Sequence, residues 1–392
     1  MKVNKWTIGL AAMGVISLPS VAMAEEGLTP VMSAVQSTTL SGYVSASAIW
    51  LTGSNSSDPM GPNYLIGRSF DGSDKQDGFN LDVVSITLEK PLDESQWSAG
   101  YKAQIWFGPD ANTLNSLSAN SVADGAGDLA IKNAYVALKA PVGNGLDFKV
   151  GVWDTVVGYE VADSPLNPNY SRSYGFYIEP IIHTGILASY RAADWISLSA
   201  GIANGMASRT VANTINTRPS DFEQLSYLGQ VALTATESMG FLKGATLYGG
   251  IVNTGVTGID DVLNFYGGLV VPTPIDKLSL GVAYDYRSNG LFDESYENAA
   301  GAYLSYQLTE KLRLNARGEY ATGSNGAYGV SNPDGEKTEL LGVTGTIDYA
   351  LWANAITRLE VRWDYDMTET GIFLDGEADN ALSVALNVIY KF

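Results

Sequence analysis

The sequence predicts an all-β fold, an antiparallel up-and-down transmembrane β-barrel of 16 strands. Three observations predict it. Segments of about ten residues alternate apolar and polar side chains, the connections between them alternate short and long, and the last segment alternates up to Phe392.

The chain opens on a leader. Lys2 and Lys5 precede an apolar stretch from Trp6 to Leu18, Pro19 breaks it, and Ala22-Met23-Ala24 has the small-x-small pattern that signal peptidase cuts. Residues 1–24 are expected to be a signal peptide, 25–38 a short periplasmic segment and 39–392 the barrel. The sequence contains no Cys, so neither a lipoprotein anchor nor a disulfide scaffold is available. The net charge of −19 argues against nucleic acid as a partner, because a phosphate backbone needs a basic face. Past the leader no apolar run suffices for a transmembrane helix, so a bilayer-spanning chain must cross with strands.

The strands follow from period-2 alternation, since neighbouring side chains of a strand point to opposite faces. In order the pattern places them at 39–50, 79–90, 96–107, 129–139, 146–153, 180–191, 195–203 and 225–236. The other eight fall at 244–253, 261–271, 277–287, 298–308, 311–321, 338–349, 355–366 and 380–392. In 311–321, Leu312, Leu314, Ala316 and Tyr320 share one face and Arg313, Asn315, Arg317 and Glu319 the other. In 355–366, Leu359, Val361, Trp363 and Tyr365 oppose Arg358, Glu360, Arg362 and Asp364. Segment 79–90 slips phase at Val83-Val84, which a β-bulge would produce. Connections such as 91–96, 140–145 and 192–194 are short, whereas 51–78, 108–128, 154–179 and 204–224 are long. The connections 237–243 and 254–260 blur this alternation. Short turns at one end and long loops at the other are what an outer-membrane barrel shows.

Charge energetics sets the faces. An Arg facing lipid at the bilayer midplane costs roughly 2–4 kcal/mol. Arg313, Arg317, Arg358 and Arg362 together would cost on the order of 10 kcal/mol there, as much as a domain's whole stability. They must point inward, with Glu319, Glu360 and Asp364 beside them as a polar pore wall. About sixteen strands enclose an aqueous channel rather than a filled core.

The final strand, with Leu382, Val384, Leu386, Val388, Tyr390 and Phe392 on one face, resembles the insertion signal of bacterial outer-membrane proteins. The resemblance implies recognition of Tyr390 and Phe392 by the barrel-assembly machinery. Connection 154–179 is unlike the others, with Gly158-Tyr159-Glu160, the Asn-rich Asn167–Tyr170, Ser171-Arg172-Ser173 and, just after it, His183-Thr184-Gly185. In these residues the sequence resembles the β-barrel porin 2 (OmpL-like) family, over most of the chain beyond the leader. The resemblance implies a porin of the cell outer membrane, not a particular solute. By analogy with sixteen-stranded general porins, this third outer loop is expected to fold into the lumen and form the constriction. Asp154, Glu160, Asp163 and Glu179 would supply acid there against Arg172. The wall arginines would either face those acids across the pore or pair with Glu319, Glu360 and Asp364 along the wall.

His183 is the sole histidine, and no serine has the elbow context of a catalytic triad, so no enzyme is expected. The sequence contains neither a metal cage nor a phosphate-cradling loop, and no cofactor is expected. Acid clusters at Asp71, Asp74 and Asp77, at Asp293, Glu294 and Glu297, and at Asp375, Glu377 and Asp379 read as solvated loops. Divalent cations could bridge them to lipopolysaccharide. Passive diffusion of ions and small hydrophilic solutes is the expected function, with a homotrimer by analogy. The overall acidity leans towards cations. A barrel enzyme and a closed structural or adhesive barrel are the alternatives.

Overall fold

The computed structural model describes residues 37–52, 65–71, 75, 77–114, 116, 127–205, 225–255, 261–288, 295–330, 335–373 and 378–392. The expected signal peptide and nearly all of segment 25–38 lie outside them, as do Asp74, Asp293, Glu294, Asp375 and Glu377.

Sixteen antiparallel strands close into one barrel, each paired with its sequence neighbours and β1 with β16. They are β1 Thr39–Thr52, β2 Gly78–Lys90, β3 Ser98–Phe107, β4 Leu129–Ala140, β5 Leu146–Asp154 and β6 Ile182–Ala193. Next come β7 Ile196–Asn204, β8 Leu225–Thr234, β9 Thr246–Thr254, β10 Val262–Pro272 and β11 Leu278–Ser288. The last five are β12 Tyr296–Gln307, β13 Leu312–Gly323, β14 Thr338–Trp352, β15 Ala355–Asp366 and β16 Asn380–Lys391. Among the described residues two short α-helices stand in connections, α1 Pro109–Leu114 and α2 Tyr174–Ile178.

All sixteen predicted segments are strands, with ends displaced by at most a few residues. β6 begins at Ile182 rather than at residue 180, where Pro180 has no N–H to give a ladder. β14 runs on to Trp352 through an irregularity between Ala350 and Trp352, which shortens the following turn. The two connections that blurred the alternation fall into place. Residues 235–245 join β8 to β9 at the end with short turns, and 255–261 join β9 to β10 at the end with long loops.

Closure makes the two faces unequal. Val44, Leu81, Ile105, Val136, Ile202, Leu280, Val343, Val361 and Leu386 are exposed on the outside, the face that meets lipid. Aromatic side chains ring its two rims: Trp50, Phe79, Phe107, Tyr227, Phe265, Tyr284 and Tyr320 at the loop end, Trp97, Trp195, Tyr349, Trp352, Tyr390 and Phe392 at the turn end. The inner face carries the charge, as the cost of an arginine in lipid requires. Arg317, Arg358 and Arg362 are 1%, 2% and 0% exposed.

Two bulges add charge to that inner face. In β2 the register shifts between Ser45 and Ala46, leaving Asp82 unpaired, and Asp82 and Val83 are both buried. The phase slip at Val83-Val84 is this bulge. In β4 the shift between Gln104 and Ile105 leaves Lys132 unpaired and buries it beside Asn133. An extra residue re-aims a side chain that strict alternation would have turned towards lipid.

Candidate functional site

Between β5 and β6 the chain builds a compact structure from its own side chains. Gly158, at φ +108°, turns it back on itself. The Asn167 amide holds Val161 from both sides, accepting from its N–H at 2.9 Å and donating to its carbonyl at 2.6 Å. Arg172 donates to the carbonyls of Val161, Tyr170 and Ala162, and its guanidinium lies over the rings of Phe70 and Phe176. Ser173 caps α2 by accepting from the Phe176 N–H at 3.0 Å.

This connection is bonded to the polar face of strands around the barrel. Arg317 donates to Glu160 Oε1 at 2.8 Å, to the Ser171 carbonyl at 2.8 Å and to Glu319 Oε2 at 2.6 Å. Arg358 donates to the carbonyls of Ser164 and Asn167, and Arg362 to that of Arg172 at 2.6 Å. The wall carboxylates complement them. Glu360 accepts the N–H groups of Tyr170 at 2.6 Å and Ser171 at 2.9 Å, and Glu319 accepts that of Tyr174 at 2.6 Å. Asp364 accepts from the Tyr174 hydroxyl at 2.6 Å and from Arg362 Nε at 2.8 Å. Opposite, the Tyr170 hydroxyl reaches Ser47 on β1 and Asp82 on β2, and Asp163 accepts from Gln104 on β3 at 2.7 Å. On the remaining arc, Val156, Val157 and Tyr159 pack with Leu187, Leu228, Tyr248, Val252, Tyr266 and Tyr303.

Glycines on the wall make the approach possible. A Cβ at Gly281 would stand 2.1 Å from the Tyr159 hydroxyl, and one at Gly250 2.7 Å from Val157 Cγ1. Burial keeps the phenols of Tyr170 and Tyr174 well above their ordinary pKa, so both remain neutral donors.

Arg317 pairs along the wall with Glu319 and with Glu160 of the connection, and Arg362 pairs along the wall with Asp364. Glu360 holds backbone N–H groups instead of an arginine. Arg313 pairs with Asp348 at 2.5 Å, nearer the turn end. Asp154 pairs with Lys132, and Asp163 lies 3.9 Å from the same ammonium. Glu179 meets Asp285 of β11, and burial together with that neighbour holds its carboxyl well above the ordinary range. Tyr390 and Phe392 stand on the outer face, and Phe392 exchanges two 3.0 Å backbone hydrogen bonds with Gly42. His183 meets Thr155 at 3.0 Å and lies against the Trp153 ring.

Several charged residues of this network carry no strong sequence signal. Lys75 pairs with Asp110 of α1 and with Asp82, and Arg68 pairs with Asp71 at 2.7 Å and Asp364 at 3.3 Å. Asp71 is therefore 2% exposed, not a solvated loop acid, and Glu297 is buried against Arg287. The phase slip at Val83-Val84 pointed to the bulge at Asp82, and Asp71 and Glu297 stood out only as loop acids.

The family model described as "Putative beta-barrel porin-2, OmpL-like" matches residues 37–392. No curated protein matches the sequence. Solved barrels share the fold. OmpF of Salmonella typhi, in complex with daunomycin, superposes with a TM-score of 0.58 at 11% identity, over 91% of this chain and 97% of that one. The trimer form of OmpT, an outer membrane protein of Vibrio cholerae, gives 0.57 at 15% identity, over 91% and 99%. An anion-selective porin from Comamonas acidovorans gives 0.54 at 12% identity, over 91% and 99%. Likeness at such identities speaks for the fold alone, whereas the family match spans every strand of the barrel. The chain belongs to this OmpL-like family of β-barrel porins and resides in the cell outer membrane.

Proposed function

We propose that the barrel passes ions and small hydrophilic solutes by passive diffusion, and that connection 154–179 lies in the lumen and constricts the passage. What supports this reading above all is the clamp of Arg317, Arg358 and Arg362 with Glu319 and Glu360 on the backbone of residues 164–174, and of Asp364 on the Tyr174 hydroxyl. Side chains on the inner face of a closed barrel can reach a connecting segment only where that segment enters the interior. In this reading Asp154, Glu160, Asp163, Arg172 and Glu179 belong to the constriction, and Arg313 with the clamp residues to the wall. Fixed charges there bias which ions pass.

The contacts of His183 speak against a barrel hydrolase, since it faces Thr155 and Trp153 rather than a serine and a carboxylate. Assembly as a homotrimer fits the trimer form of the Vibrio cholerae relative in fold. Recognition of Tyr390 and Phe392 by the barrel-assembly machinery fits their outward placement at the turn rim. Liposome swelling with sugars of graded size tests the proposal. Swelling that slows as the sugar grows is expected, and rates equal to those of protein-free liposomes would refute it.

A further inference from the structure

Resting on the channel reading above, we propose that Lys102 of β3 and Lys149 of β5 form a binding site for small organic carboxylates on the inner wall, just to the turn side of connection 154–179. The register builds it. Ile105 and Phe107 of β3 are exposed on the outside, so alternation turns Gln104 and Lys102 inward. Val136 and Leu138 of β4 and Val150 of β5 likewise point out, which turns Tyr135, Ala137 and Lys149 inward. Lys102 stands level with Tyr135, and Lys149 level with Ala137, two residues nearer the turns. The Lys149 ammonium lies 5.0 Å from the centre of the Tyr135 ring. The next inward positions of β3 and β4 are Gly100 and Ala137, which put no bulky side chain among the three. Gln104, one inward position nearer the loops than Lys102, donates to Asp163 at 2.7 Å, so the site adjoins the connection.

The charges single out these two lysines. On the inner face Lys132, Arg287, Arg313, Arg317, Arg358 and Arg362 each pair with a carboxylate. Among the described residues Lys102 and Lys149 have no ion pair and no hydrogen bond, and both are half-buried rather than closed off. Glu89 of β2 is level with Lys102 without pairing with it, and Asp147 is level with Lys139. These two acids stand against three lysines, so the arc is net positive. The acids of the connection on this side are already served. Asp154 pairs with Lys132, and Asp163 accepts from Gln104 and from the Tyr43 hydroxyl at 3.2 Å.

The unmet charge at this point is therefore positive, against the net acidity of −19 of the whole chain. Each ammonium offers three donors on a flexible stem, which a carboxylate can accept without the planar fork of an arginine. The Tyr135 ring beside them gives an apolar surface to the carbon body of an organic anion. The clamp arginines cannot compete for it, since they are buried and bonded to the connection.

The test is single-channel current of the refolded full chain in a planar bilayer at neutral pH, titrated with sodium malonate. Saturable block by malonate is expected, with none from malonamide, its uncharged counterpart, and weaker block from inorganic phosphate. Lys102→Met and Lys149→Met should each raise the half-blocking concentration about threefold, and the double variant about tenfold, as loss of solvent-exposed charge pairs predicts. Heat-modifiable gel mobility confirms that the variants are folded. An unblocked wild type, or a folded double variant blocked as readily as wild type, would overturn the site while leaving the channel standing. Stronger block by phosphate than by malonate would overturn the carboxylate class. Silence from folded wild type in salt alone would overturn the channel reading, and the site with it.

Discussion

Replacing Arg317 with Met probes what holds the connection to the wall. Its guanidinium is fully buried and bonds Glu160, Glu319, the Ser171 carbonyl, the Ser171 hydroxyl at 3.1 Å and Thr344 at 3.2 Å. Met fills a similar volume but leaves Glu160 and Glu319 without their main cation. Glu160 keeps the Ser173 N–H at 2.7 Å, and Glu319 keeps Arg362 at 3.7 Å. Breaking a buried pair from one side costs about 3–5 kcal/mol, because the partner charge stays desolvated. The loss in urea unfolding free energy, followed by tryptophan fluorescence, should fall in that range. Trp153, fully buried at the root of the connection, reports on this region. Removing Glu160's charge at the same time relieves part of the penalty. Glu160→Gln/Arg317→Met should thus fall short of the summed single losses by about 1 kcal/mol or more. Arg317→Lys keeps a charge but not the fork that serves several acceptors, so it should lie between wild type and Met. A loss under about 1 kcal/mol for Met, or strict additivity in the double variant, would refute the clamp.

Asp154 and Asp163 keep 28% and 15% side-chain exposure, so Asn at both should shift the reversal potential in a salt gradient towards anions. Glu160→Gln, with its side chain inaccessible, should leave that potential unmoved while lowering stability. Gly281→Ala would press a methyl into Tyr159 and should cost about 1–3 kcal/mol in unfolding. Gly345→Ala meets nothing within 4 Å and should change stability by less than about 0.5 kcal/mol. Deleting Phe392 removes its two bonds to Gly42 and should reduce outer-membrane insertion, measured by heat-modifiable gel mobility; normal insertion would contradict the role of the terminal residue. Glu179's carboxyl is raised in the folded chain above its ordinary 4.5, so the folded state binds the extra proton. Stability should therefore fall as pH rises from that ordinary value through the folded one and level off above it, a slope that Glu179→Gln should abolish.

The barrel was legible because each strand's faces meet different surroundings. Leu312, Leu314, Ala316 and Tyr320 against Arg313, Asn315, Arg317 and Glu319 leave one register and one inside, whatever the neighbours. The third connection was legible as a place: Gly158, Asn167 and Arg172 there do local work that no repetitive strand needs. What it touches was not, because Glu360 with the Tyr170 N–H, or Asp82 with the Tyr170 hydroxyl, join residues far apart along the chain that only closure brings together. Bulges hid two charges. Asp82 left a trace in the hydrophobic phase of β2, whereas Lys132-Asn133 sits among Ile131, Ala134 and Tyr135, where the slip is easily read as ordinary strand. Asp71 resembled any loop acid, since nothing near it in sequence says that Arg68 also reaches Asp364.

The most direct test of the central claim is single-channel conductance of the refolded chain in a planar bilayer under a salt gradient, beside a variant in which residues 155–179 are replaced by a short Gly-Ser turn. Discrete ohmic steps from the wild type and markedly larger steps from the variant are predicted, because removing the clamped segment widens the path. Equal conductance from two folded barrels would take the connection out of the constriction, and silence from both would contradict the channel itself.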